Sequence, residues 1–222
     1  MLFTTNNIFR YKMSAFISAG QLYYAGPNAK EYLIIPFEGR ILRASFSVNS
    51  IYIIDSNNNL WVYGRGFMRK LGTGNVHNIP PPTLIRPEIE FINVSDGGNF
   101  AVAIDINGNL WYSGQLTLKM KSDKFIQLTR DTIFIEVSCR YLRCVALDID
   151  GNLYGCGFNS YFSMGSTMSH LDEFTMIKEN TGFKTVSSGP LISVYVDNSG
   201  DVWATGPTSL ATLGINADNG EF

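Results

Sequence analysis

One short pattern recurs five times in this chain and restricts what it can fold into more than any other feature. An aliphatic residue is followed by an aromatic, two variable residues and a glycine. The pattern reads LYYAG from Leu22 to Gly26, LWVYG from Leu60 to Gly64 and LWYSG from Leu110 to Gly114. It returns as LYGCG from Leu153 to Gly157 and as VWATG from Val202 to Gly206. Successive starts lie 38, 50, 43 and 49 residues apart, a period typical of propellers, where each unit buries its apolar face only against its neighbours.

The residues before each match are patterned too. Apolar runs lead into Asp55, Asp105, Asp148 and Asp197, each five positions before the aliphatic residue. Tight-turn pairs follow: Asn57-Asn58, Asn107-Gly108, Asp150-Gly151 and Ser199-Gly200. Such pairs favour the positive φ of two-residue hairpin turns, and a carboxylate ahead of them can accept bonds from the turn N–H groups. Each unit therefore reads as a hairpin of apolar strand, turn and aromatic strand. The first is degenerate, with Ala19-Gly20 at the turn and Ile17 where the Asp would stand.

Three repeats continue into a loop ending in Leu-Gly or Met-Gly: Arg65 to Gly72, Phe158 to Gly165 and Pro207 to Gly214. Further β-rich runs fill each period, and no helical periodicity competes with them. The expectation is an all-β chain, a β-propeller of about five four-stranded blades with room for one incomplete blade. Residues 1–222 form a single domain, with hairpins around 9–26, 46–64, 96–114, 139–157 and 188–206. Two arrangements stay open. A compact ring closes, or nearly closes, through a reduced blade, which is the favoured form, or the arc stays open and a partner covers its edge.

These residues resemble the regulator-of-chromosome-condensation repeat family, whose blades carry a glycine-started strand, an Asp-Gly turn, a Val-Tyr-like strand and a Gly-x-Asn-x-x-Gly-Gln-Leu-Gly loop. The resemblance covers nearly the whole chain and is best from Asn57 to Gly74 and from Asp148 to Gly165. The departures are specific. Phe100-Ala101, Arg143-Cys144 and Ile192-Ser193 stand where the family often has His-Ser. Gly97 and Gly189 keep the strand-starting glycine, while Arg140 and Ser47 replace it. In the loop, Arg69 and Phe162 replace the middle glycine, and Lys70 and Ser163 replace the glutamine. The third repeat has lost the loop motif after Gly114, and founding members of the family usually have seven blades.

Composition excludes several functions. The 222 residues carry a net charge of −2, which gives no general attraction to nucleic acid or anionic membrane. Asn6, Asn7, Arg10 and Lys12 interrupt any secretory h-region, and no stretch approaches a membrane-spanning length. Cytoplasmic residence is expected, with nuclear or cytoskeletal placement also allowed. Cys139, Cys144 and Cys156 form no CxxC pair and read as free thiols in a reducing compartment. Asp148-x-Asp150-Gly151 opens like a calcium loop, but Asn159 holds the position where an EF-hand needs an acid. With two histidines and no nucleophile elbow or phosphate-binding loop, neither catalysis nor a cofactor or metal is expected.

Trp61, Trp111 and Trp203, with Tyr23 and Tyr154, share one strand position and read as packing between blades. The residues that break the repeat pattern in loops are the candidates for a partner surface: Phe67, Met68, Arg69 and Lys70 in one cluster, Tyr161 and Phe162 in another. The function expected is a non-catalytic interaction or architectural module, a subunit of a larger assembly with protein partners. Regulation of a small GTPase by nucleotide exchange is what the resemblance implies as an alternative. A substrate-recruiting role in ubiquitin signalling is a further one.

Overall fold

The computed structural model describes residues 14–25, 30–47, 49–66, 69–74, 79–128 and 131–207. They form five antiparallel sheets in chain order, the blades of a β-propeller. Sheet 1 holds β1 (Ser14–Ser18), β2 (Gln21–Ala25) and β3 (Leu33–Ile34). Sheet 2 holds β4 (Ile41–Phe46), β5 (Ser50–Asp55), β6 (Leu60–Gly64) and β7 (Ile79–Ile85). Sheet 3 is β8 (Phe91–Asp96), β9 (Phe100–Asp105), β10 (Leu110–Gln115) and β11 (Lys121–Gln127). Sheet 4 is β12 (Phe134–Arg140), β13 (Arg143–Asp148), β14 (Leu153–Phe158) and β15 (His170–Lys178). Sheet 5 is β16 (Phe183–Ser188), β17 (Ser193–Asp197) and β18 (Val202–Thr205). Three blades thus have the expected four strands, and the outer two have three among the described residues.

In sheets 2 to 5 the recurring hairpin geometry comes from one carboxylate per sheet. Asp105 Oδ1 accepts from the N–H groups of Asn107 and Asn109, both at 2.9 Å, which holds the turn closed. Its Oδ2 accepts from the Trp111 indole at 2.9 Å. Asp55 with Trp61 and Asp197 with Trp203 repeat the arrangement at 2.9 and 2.8 Å. In sheet 4, Asp148 accepts from the Asp150 and Asn152 N–H groups at 3.0 and 2.8 Å. The tryptophans are therefore fasteners for the turns as well as packing groups. Trp111 is buried, Trp61 half-buried, and Trp203 remains 38% exposed on sheet 5.

In sheets 2 to 5 the first strand begins with a β-bulge, at Ile41/Arg43, Phe91/Asn93, Phe134/Glu136 and Phe183/Thr185. The repeated irregularity twists each sheet in the same way, so each can pack on the next. Four apolar clusters fill the four junctions. Leu22 meets Ile41 and Ile53 between sheets 1 and 2, and Leu60 and Val62 meet Phe91 and Phe125 between sheets 2 and 3. Leu110 and Tyr112 meet Phe134 and Val137 between sheets 3 and 4. Leu153 and Met164 meet Phe183 and Tyr195 between sheets 4 and 5. Among the described residues, sheets 1 and 5 share no such junction.

Two expectations are corrected here. Cys139 and Cys144 are not free thiols but a disulfide, leaving Cys156 as a buried free cysteine. The pair is cross-strand, with Cα atoms 4.1 Å apart, and faces the junction with sheet 3. Lys70 is no surface residue. It is fully buried at the junction of sheets 2 and 3, where its Nζ donates to Ser47 Oγ at 2.8 Å and lies 3.5 Å from Asp96 Oδ1. Asp96 also accepts from the Ser50 hydroxyl and the Gly98 N–H, and the Lys70 carbonyl accepts from Tyr52 and Ser113. Burial pushes the Lys70 ammonium below its usual pKa, with the Asp96 charge opposing that shift.

Arg143 does the same work between sheets 4 and 5. It donates to Ser163 Oγ and to the carbonyls of Gly189 and Ile192 at 2.7 and 3.1 Å. Burial lowers its pKa to about 10, so it stays charged at neutral pH. The two junctions exchange roles: the cation comes from the loop at Lys70 and from the strand at Arg143. The hydroxyl that Lys70 meets is that of Ser47, just after β4, and the one that Arg143 meets is that of Ser163, in the loop after β14.

Three substitutions test this architecture by urea unfolding. Leu110→Ala removes a fully buried side chain and is expected to cost about 2–5 kcal/mol. Gly108→Val places a branched side chain at φ +82°, against Ile133, and is expected to cost at least about 1–2 kcal/mol. Lys70→Met leaves Asp96 buried without its cation, for an expected loss of about 3–5 kcal/mol; an unchanged midpoint would remove the pair from its structural role.

Candidate functional site

Every sheet has a turn end, which in sheets 2 to 5 carries the Asp-fastened hairpin turns, and an opposite loop end. At the loop end lie the long connections after β6 and β14 and the short β12–β13 turn. The expected loop residues separate here. Phe67 and Met68 lie outside the described residues, as does Gly26 of the first repeat. Lys70 points inward, as described above. Arg69 is exposed and stands 4.0 Å from Asp123. Tyr161 and Phe162 are each 60% exposed, at the tip of the loop after β14.

The loop after β14 is held from beneath. Asn159 is buried, and its side-chain amide donates to the carbonyls of Ser166 and Met168 at 2.6 and 2.8 Å. Its oxygen accepts from the Met164 N–H at 2.7 Å. This clamp leaves a single 3-10 turn at Ser160–Phe162 as the route over the top. Tyr161 and Phe162 there take φ values of 59° and 56°, which bulky residues rarely adopt. Arg69 holds the corresponding place in the loop after β6, with φ 61°. The backbone asks for a left-handed residue at this position, which accounts for the glycine in the pattern this chain resembles.

The β12–β13 turn repeats the theme. Tyr141 has φ 57° and is 53% exposed, where sheet 3 has Gly98 at φ 99°. Its neighbour Leu142 is exposed as well, and the Leu142 carbonyl accepts from the Phe158 N–H at 2.9 Å. Phe158 lies against His170, with ring centroids 4.7 Å apart. Leu191 from sheet 5 adds another exposed apolar side chain beside the Ile192 carbonyl that Arg143 binds. Sequence reasoning found Tyr161 and Phe162 but missed Tyr141, Leu142, Phe158 and Leu191. The available signal was Arg140-Tyr141 standing where other repeats have a glycine.

The two ends differ in charge. The loop end presents Arg65, Arg69, Lys119, Lys121 and Arg140 against Asp123, Glu173 and Asp172, the last held by Lys119 at 2.8 Å and by His170 at 2.8 Å. Hydrogen bonds from Lys119 and then His170 keep the Asp172 carboxyl below its usual pKa. The turn end presents Glu38, Glu88, Glu90, Asp131, Asp150, Glu179 and Asp201, with Arg40, Arg86, Lys178 and Lys184 among them. There the Trp203 hydrogen bond holds the Asp197 carboxyl down. Burial pushes the Cys156 thiol up to about 12, so the free cysteine is not a thiolate at neutral pH. Among the described residues no His, Cys, Asp and Glu side chains gather as a metal site, and no helix is long and apolar enough to cross a membrane.

No protein-family model matches the chain. A curated relative, a bifunctional serine/threonine-protein kinase/NEDD4-like E3 ubiquitin-protein ligase of Dictyostelium discoideum, is 28% identical over 79 residues, covering 33% of this chain and 4% of that protein. Among solved structures, human WBSCR16 matches with a TM-score of 0.74 at 12% identity, over 89% of this chain and 60% of its own. Prp20p from Saccharomyces cerevisiae matches at 0.71 and 17% identity, over 94% of this chain and 59% of its own. The same yeast protein crystallised with Kap60 gives 0.72. The chain spans less than two thirds of each of these structures. Its fold is that of a β-propeller built like those of WBSCR16 and Prp20p, as its repeats lead one to expect.

Proposed function

We propose that this chain is a non-catalytic protein-interaction module, serving as an architectural subunit of a larger assembly. The observation that carries the reading is the loop end of sheet 4. Large apolar side chains stand exposed there on a rigid support, while the buried polar groups beneath them bind one another. Exposed aromatic clusters of this kind mark protein interfaces on soluble domains. The fold supports the same reading, because propellers present loops on a stiff ring and recur among binding proteins. Cytoplasmic residence belongs to this proposal.

Two further readings have an observation each. Prp20p, which shares the fold, is known for binding Gsp1p and histones, and this favours regulation of a small GTPase as the second reading. The short match to a ubiquitin ligase favours a substrate-recruiting role as the third.

Affinity purification from the native cell, with crosslinking mass spectrometry, tests all three. The expected result is a fixed stoichiometric set of proteins crosslinked to the propeller. Recovery of a small GTPase chiefly after nucleotide is stripped would put exchange first. Turnover of a small substrate by the pure protein, abolished by one point substitution, would end the non-catalytic reading.

A further inference from the structure

Three features of the loop end are not explained by the needs of the fold. First, Tyr141, Tyr161 and Phe162 hold positive φ while exposed by 53%, 60% and 60%. Such conformations are strained for non-glycine residues. An exposed ring returns little burial to offset that cost, and Gly98 meets the same backbone demand at the place matching Tyr141. Second, Leu142, Phe158 and Leu191 are exposed at the same end, with Leu142 and Phe158 joined by a backbone hydrogen bond. Third, basic side chains outnumber acidic ones over the loop ends of sheets 2 to 4, with Arg65, Arg69, Lys119, Lys121 and Arg140 against Asp123, Asp172 and Glu173. Arg140 precedes Tyr141 in the turn, and Lys119 reaches Asp172 beside the His170 ring that packs on Phe158. Arg65, Arg69 and Lys121 continue the basic rim towards sheets 2 and 3. Acidic side chains predominate at the opposite end instead.

We propose that the loop end of sheet 4 is the docking surface for an acidic segment of a partner protein, whose apolar side chains seat among Tyr141, Phe158, Tyr161 and Phe162. Charge complementarity selects the occupant: carboxylates on the segment meet the Arg and Lys rim, and the acidic turn end repels it. The aromatic rings supply contact area at low conformational cost, and the left-handed backbone aims them outward. This deepens the interaction reading and rests on it.

The test exploits the strain. Tyr141→Gly and Phe162→Gly remove two rings and relieve two unfavourable backbone conformations, so the doubly substituted protein is expected to melt at the same temperature or higher. An array of short random peptides is probed with the wild type and with this variant. The wild type is expected to bind members rich in Asp and Glu that also carry Leu, Phe or Trp, less so as salt is raised. The variant is expected to bind those same members at least about tenfold more weakly, and Arg69→Gly to weaken the salt dependence. Equal binding of basic and acidic peptides, no binding of acidic ones, or unchanged binding by the variant overturns the proposal. A lower melting temperature of the variant would assign the rings to the fold and overturn it too. A dimer in light scattering, lost in the variant, would give the surface to a second copy of this chain. Partners crosslinked only to the turn end would sink this surface while leaving the interaction reading intact, whereas recovery of no partner would sink both.

Discussion

The burial of each sheet against its neighbour is the constraint on which the rest of this structure depends. In sheets 2, 3 and 4 all six residues of the second strand, β5, β9 and β13, are buried, because both faces of the sheet are covered. In sheet 5 the second strand alternates, with Ser193 and Tyr195 buried and Val194 and Val196 only half-buried. One covered face produces that alternation and two covered faces abolish it. Stability is therefore a property of junctions, shared between neighbours, as in other repeat proteins. The polar residues obey the same rule. Lys70 with Asp96 and Arg143 with Ser163 close the loop end of two junctions, and each side chain binds groups of both adjoining sheets or of the loops between them.

What the sequence disclosed follows from how far apart the interacting residues are. Asp105, the Asn107–Gly108 turn and Trp111 act within a few residues of one another. Their hydrogen bonds impose a local pattern that repeats wherever the hairpin does, so hairpins, period and blade number were legible. The Lys70–Asp96 pair joins residues from different repeats, and nothing local at Lys70 separates it from an exposed loop lysine. The Cys139–Cys144 bond was hidden by register. Its partners face each other only because Tyr141 and Leu142 form a two-residue turn, and neither residue carries the usual turn signature. The surface at the loop end was half legible for the same reason: Tyr161 and Phe162 interrupt a recognisable motif, whereas Phe158 and Leu191 sit at ordinary strand-end and loop positions.

The outermost sheets bear on whether the ring closes. Tyr32, Leu33 and Ile34 at one end of the arc are exposed, and so is Val202 at the other, where Leu60, Leu110 and Leu153 hold the same repeat position fully buried. The arc also superposes on about three fifths of Prp20p and of WBSCR16. Among the described residues, sheets 1 and 5 share no junction of the kind that joins the other sheets.

Rigidity beneath the loop end is what turns its exposed side chains into a surface. The Cys139–Cys144 bond ties the strands at the root of the Tyr141–Leu142 turn. Asn159 clamps both arms of the loop that carries Tyr161 and Phe162. Arg143 binds that loop at Ser163 and the β16–β17 connection at Gly189 and Ile192, so loops of two sheets are fixed to one guanidinium. Binding costs affinity chiefly where loops and side chains must be ordered, and here the backbone order is established on folding. A loop end assembled without these fasteners would expose the same residues but would have to be organised by each partner it met. With them, the strain at Tyr141, Tyr161 and Phe162 is borne by the junctions below, which ties the presentation of this surface to the same sheet-to-sheet packing that makes the fold stable.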